Sequence, residues 1–244
     1  METNIVTVAV SEEDEVDTNI TYRVEIRRVG TPDWYILHQG DTPVFTNIVK
    51  VAGYFKLRGV TFVNGQRKNS GEEDLEVQFP LWIHILNGLM ANNIPLKAMF
   101  DFIWQMTLQA TTQTHRREYG CYITLNTATG AYGTTIPIPG PLVTDLETAY
   151  VILGNKPKDN PENPSPIGTA IYTVGWFHTH TPTQFRSVGR QVGPSPGDYS
   201  YSTNTNVNIP GFAYDYIQYA YAGLETNAPA KVYEIIPPDK RPTP

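Results

Sequence analysis

Apolar and polar residues alternate over Tyr22-Arg-Val-Glu-Ile-Arg-Arg-Val29, which places Tyr22, Val24 and Ile26 on one face of a strand. Similar β-branched and aromatic runs occupy residues 5–10, 34–37, 44–49, 54–63 and 75–79, punctuated by Gly, Pro, Asp and Asn. Strands of that length and spacing predict an all-β sandwich over residues 1–80. The period then changes. After Ile94-Pro95, the residues Leu96, Met99, Phe100, Ile103 and Met106 form a helical stripe, with the proline at the helix start. Strand-like runs return at 119–125, 132–138, 169–177, 209–217 and 231–236, so residues 81–244 read as a second domain of mixed composition. Ala128-Thr-Gly-Ala131 reads as a hairpin turn, and Pro137, Pro139 and Pro141 break the ladder that follows it.

The intervening segments read as loops or junctions. Leu81–Gly88 is an apolar junction, and its His84 reads as a core histidine. Residues 156–166 form a proline-rich polar loop, and Tyr199–Asn208, rich in Ser, Thr and Asn, reads as a second exposed loop. Charged residues make up only 17% of the 244, while Pro (20) and Gly (19) are plentiful, which fits many turns and short strands. The net charge of -6, with no Lys/Arg cluster larger than a pair, argues against a nucleic-acid surface. A single cysteine, Cys121, excludes an internal disulfide and reads as a small buried thiol. No apolar stretch approaches the length of a membrane span. The first residues lack the basic and apolar regions of a signal peptide, so a location outside the cytoplasm is expected only if a leader has been removed.

The densest chemistry lies in His178-Thr179-His180, followed by Ser195-Pro196-Gly197-Asp198. The preceding run, residues 169–177, reads as a buried strand, so His178 and His180 share one face and Thr179 points away. Two imidazoles and a nearby carboxylate can supply three protein ligands to zinc, and catalytic zinc leaves its fourth position to water. Such a site needs a further carboxylate, not itself a ligand, to accept the proton of that water. Glu118 is the candidate, at the mouth of an apolar strand and just before Gly120, although Arg116 and Arg117 beside it also allow a plain solvated charge. Asp215 is the runner-up acidic ligand, and His115 reads as a surface residue.

Together, Glu118, His178-Thr-His180 and Ser195-x-x-Asp198 resemble the JAMM (MPN-plus) zinc metalloprotease family, in particular bacterial JAMM-like domains, over roughly residues 96–237. The resemblance implies an α/β or α+β domain with a mixed, curved sheet and helices. It also implies Zn2+ held by His178, His180 and Asp198, with Glu118 as general base and Ser195 as a hydroxyl donor to the oxyanion. The implied activity is hydrolysis of a peptide or isopeptide bond in a peptide or protein substrate. The N-terminal strands, from Gly53 to Ser70 above all, are similar to fibronectin type III and immunoglobulin-like domains. Two departures stand out: the proline comes one residue late, as Thr181-Pro182, and residues 181–194 form a gap longer than the family's usual one. The alternative is a non-catalytic JAMM-like scaffold whose metal site is lost or structural.

Overall fold

The computed structural model describes residues 5–9, 19–78, 95–112, 114–144, 147–182, 192–204, 206–217 and 230–235. The expected boundary at 80/81, the Leu81–Gly88 junction and His84 lie outside them. The described chain is mostly β-sheet with two helices.

Strands β1 (Ile5–Ala9) and β4 (Val44–Ile48) form an antiparallel ribbon. Strands β2 (Ile20–Arg28), β3 (Tyr35–Gly40), β5 (Gly53–Val63) and β6 (Gln66–Val77) form an antiparallel sheet in the order β3-β2-β5-β6. The alternation read on β2 is present, with Tyr22, Val24 and Ile26 buried on one face. Strand β6 is far longer than the 75–79 run that hydropathy picks out. Its hairpin turns at Asn64-Gly65, where both residues have positive φ (50° and 80°), the conformation that such a pair supplies cheaply. Its polar residues do not need a core face. As an edge strand it carries charge, pairing Asp74 with Lys56 and Glu72 with Arg27, which also disfavours edge-to-edge association. Glu25 on β2 is buried and held by Arg58 and Arg67 at 2.7 and 2.9 Å. Burial pushes its carboxyl up, but the guanidiniums of Arg58 and Arg67 outweigh this and lower its pKa.

The second sheet comprises β7 (Tyr119–Asn126), β8 (Ala131–Thr134), β9 (Ile138–Pro139), β10 (Ile171–Thr179), β11 (Gly211–Tyr216) and β12 (Ala230–Ile235). Its order is β12-β11-β10-β7-β8, with β9 also paired to β7. It is mixed because β10 and β11 run parallel while the other pairs are antiparallel. Helix α1 (Pro95–Gln109) starts at the expected proline and buries Leu96, Phe100 and Ile103 against this sheet. Helix α2 (Pro196–Thr203) occupies part of the Ser/Thr/Asn-rich stretch expected to be an exposed loop. That expectation is corrected: the same small polar residues that favour loops also cap and start helices.

One buried cluster draws on both sheets, joining Val24, Ile26 and Phe55 to Phe100, Tyr172 and Phe177. The Tyr172 hydroxyl, on β10, accepts the backbone N–H of Ala52 at 3.0 Å within this layer. Among the described residues no helix is long and apolar enough to cross a membrane. Tyr172→Phe removes that acceptor and leaves the buried Ala52 N–H without it, so a loss of about 1–3 kcal/mol in unfolding free energy is expected by denaturant titration. An unchanged midpoint would show that this bond does not hold the two sheets together.

Candidate metal centre

Strand β10 is buried on both faces from Tyr172 to Thr179, and its period of two separates two functions. Phe177 stacks on Phe100 of α1, and the Thr179 hydroxyl meets that of Thr107 on the same helix. Thr179 Oγ1 also accepts the Tyr119 N–H at 3.1 Å, linking the ends of β10 and β7. Trp176, His178 and His180 line a cavity on the other side. The neighbouring strands make lateral room for them. Gly120 pairs with His178, and a Cβ there would lie 2.9 Å from Phe177 O and 3.2 Å from His178 Cβ. Gly211 pairs with Trp176, and a Cβ there would collide with the indole.

The acidic partner arrives on α2. Ser195 is its N-cap, Pro196 opens its first turn, and Ser195 and Asp198 form a reciprocal capping box. The Asp198 N–H donates to Ser195 Oγ at 3.4 Å, and Ser195 N–H donates to Asp198 Oδ2 at 2.6 Å. Ser-x-x-Asp is therefore a device for aiming a carboxylate. The helix is tied to the sheet by Tyr201, whose hydroxyl lies 2.6 Å from that of Tyr122 on β7, and by Ser202, which donates to Ile209 O at 2.8 Å. Asp198 Oδ1 lies 3.1 Å from His178 Nε2, and Oδ2 lies 3.3 Å from His180 Nε2. The donor atoms of all three residues fall within 4.8 Å of one another.

The structure thus brings His178, His180 and Asp198 into one cluster, across the long gap. Glu118 and Ser195 stand on the wall of the same cavity, whose volume is about 650 Å³. Glu118 is 7% exposed and Arg116 1%, so neither belongs to the solvated charge face that the sequence also allowed. Arg116 donates to Thr144 O at 3.1 Å and to Glu147 O. His115 is exposed, as expected, and Cys121 is buried, with desolvation pushing its thiol up to about 12. An apolar wall of Tyr150, Val151, Leu153, Trp176 and Tyr201 faces the charged groups.

Asp215 has a different place from the one expected of it. It is not in the ligand cluster but behind it, with Oδ2 3.0 Å from His180 Nδ1. The signal for this was a lone carboxylate in an apolar strand, since buried charges are normally paired. Nothing in the local sequence singled out Arg116, Trp176 or Tyr201 as cavity residues.

The donor set suits a divalent metal of the zinc type: two imidazole nitrogens and one carboxylate oxygen, partly shielded from water and converging at one point. Burial lowers the pKa of His180, but hydrogen bonds to Asp198 and Asp215, with the fields of Glu118 and Asp215, outweigh it and push the imidazole up to about 10. Burial raises that of Asp198, but hydrogen bonds and attraction from His178 and His180 hold it well below the usual carboxylate range.

Comparison with protein families, with curated proteins and with solved structures finds no match for this chain.

The protonation pattern has a pH consequence. A raised His180 contributes stability to the zinc-free chain fully below its ordinary value of 6.5, and that contribution is lost as pH climbs towards about 10. A lowered Asp198 contributes above its ordinary 3.8 and loses that contribution on acidification. Zinc bound by this donor set would have to displace the His180 proton, so its apparent affinity is expected to rise roughly tenfold per pH unit between pH ~6 and ~8, with proton release visible in calorimetry. A flat profile would remove His180 from the ligand set.

Proposed function

We propose that the chain is a zinc-dependent hydrolase of JAMM-like design, cleaving a peptide or isopeptide bond. The observation that carries this reading is the convergence of His178, His180 and Asp198 in a cavity that also holds a buried, non-ligating carboxylate, Glu118. Zinc held by the two imidazoles and Asp198 would supply a Lewis acid and bring the pKa of a bound water towards neutrality. Glu118 accepts the proton of the attacking water and passes it to the leaving nitrogen. The Ser195 hydroxyl donates to the substrate oxygen as negative charge develops there. Its oxygen is already engaged by the Asp198 N–H, which orients it at the cavity wall. The apolar wall offers a surface to an apolar substrate side chain. The all-β part before residue 80 serves, in this reading, as a fibronectin- or immunoglobulin-like spacing or binding module.

A second reading is a non-catalytic module on the same fold. One observation favours it: His180 lies between the carboxylates of Asp198 and Asp215, at 3.3 and 3.0 Å, so it has partners on both ring nitrogens without an ion. Elemental analysis separates the two. One zinc per chain, lost in His178→Ala, supports the hydrolase; none supports the module.

Glu118→Gln is expected to keep the zinc and the melting temperature while hydrolysis falls by about 10²–10⁴-fold. The measurement uses quenched-fluorescence peptides carrying either backbone or lysine-linked amide bonds. Full activity in this variant would take Glu118 out of the mechanism.

A further inference from the structure

We infer that Asp215 is a positioning residue that sets both arms of the metal centre against a single carboxylate oxygen; this rests on the reading of His178, His180 and Asp198 as metal ligands. Asp215 is fully buried on β11, among Phe212, Ala213, Tyr214 and Tyr216. A charge in such surroundings is costly to retain unless its oxygens are engaged. Both are. Oδ1 accepts the Tyr216 N–H at 2.8 Å. Oδ2 accepts the Gly193 N–H at 2.8 Å and faces His180 Nδ1 at 3.0 Å.

Two consequences follow from that shared oxygen. A carboxylate can only accept, so the proton must sit on His180 Nδ1, and the Nε2 lone pair is left directed at the cluster. Partners of this kind fix the tautomer and ring orientation of metal-binding histidines and make them better ligands. The second consequence concerns the other arm. Gly193 lies two residues before the Ser195 cap, so its bond to Asp215 anchors the returning chain where the capping box begins. His180 is already fastened to β11, since its N–H donates to Tyr214 O at 3.0 Å. Asp215 thereby ties the chain leading to Asp198 to the strand that also holds His180.

The test is a zinc titration of the full chain, by competition with a chromophoric chelator, comparing wild type with Asp215→Asn. An amide cannot reproduce the pattern, since in either orientation its NH2 faces a backbone N–H or His180. Zinc affinity is expected to fall about 10–100-fold in this variant. Zinc binding equal to wild type overturns the inference while leaving the metal centre standing. A wild-type chain that binds no zinc overturns the metal centre itself, and the inference with it. Should Asp215→Asn fail to fold, long-range proton–nitrogen spectra of the zinc-loaded wild type decide the matter. A proton on His180 Nδ1, with Nε2 shifted as a metal ligand, supports the inference; the opposite tautomer overturns it.

Discussion

The site depends on one constraint: β10 is a strand with no solvent face. Because successive side chains point to opposite sides, each position must satisfy whichever layer it meets. Phe177 and Thr179 answer to α1, one by stacking on Phe100 and the other by a hydroxyl contact with Thr107. Trp176, His178 and His180 answer to the cavity. A shift of one residue in the pairing of β10 would send the imidazoles into the Phe100 layer and the phenyl ring into the polar site. The packing of α1 therefore enforces the register that the chemistry needs. The glycines opposite His178 and Trp176 belong to the same constraint, because a Cβ at either position would crowd β10, at Gly211 by striking the indole.

Rigidity on one side is matched by local hydrogen bonding on the other. Helix α2 is only eight residues long, with Ser202 its one buried residue and Tyr201 packed edge-on against Trp176. What holds Asp198 is the capping box beneath it, the Tyr122–Tyr201 hydroxyl pair and the Ser202 bond to Ile209. A short helix pinned at its N-cap can present a carboxylate with few rotameric alternatives, which is what a ligand requires.

Much of this was legible in the chain, and the limits have physical causes. The alternation in β2, the stripe of α1 and the apolar runs of β7, β10 and β11 all rest on burial, and hydropathy reads burial well. Strand β6 and helix α2 rest on other forces. The first is an edge held by a two-residue turn and cross-strand charge pairs, the second a polar helix set by its cap, and neither leaves an apolar period. The His-x-His pair and Ser-x-x-Asp could be read from spacing alone. Asp215 could be noticed as an oddity, but its bond to His180 arises from the parallel pairing of β10 and β11, which no local spacing encodes.

Charge balance gives the donor set its direction. Among the described residues, the buried and half-buried charges around the cluster are the carboxylates of Glu118, Asp198 and Asp215 and the guanidinium of Arg116. With both imidazoles neutral, these described groups carry an excess of negative charge in a region where water cannot solvate it fully, and isolated buried charge is expensive. Protons on the imidazoles can offset that deficit, and the raised His180 is the sign of it. A divalent cation offsets it as well, while returning the imidazoles to the neutral form in which they act as ligands. The same electrostatic deficit that favours protons on the imidazoles would also favour a doubly charged ion. Glu118, outside the ligand cluster, adds its field to that of Asp215 in raising His180.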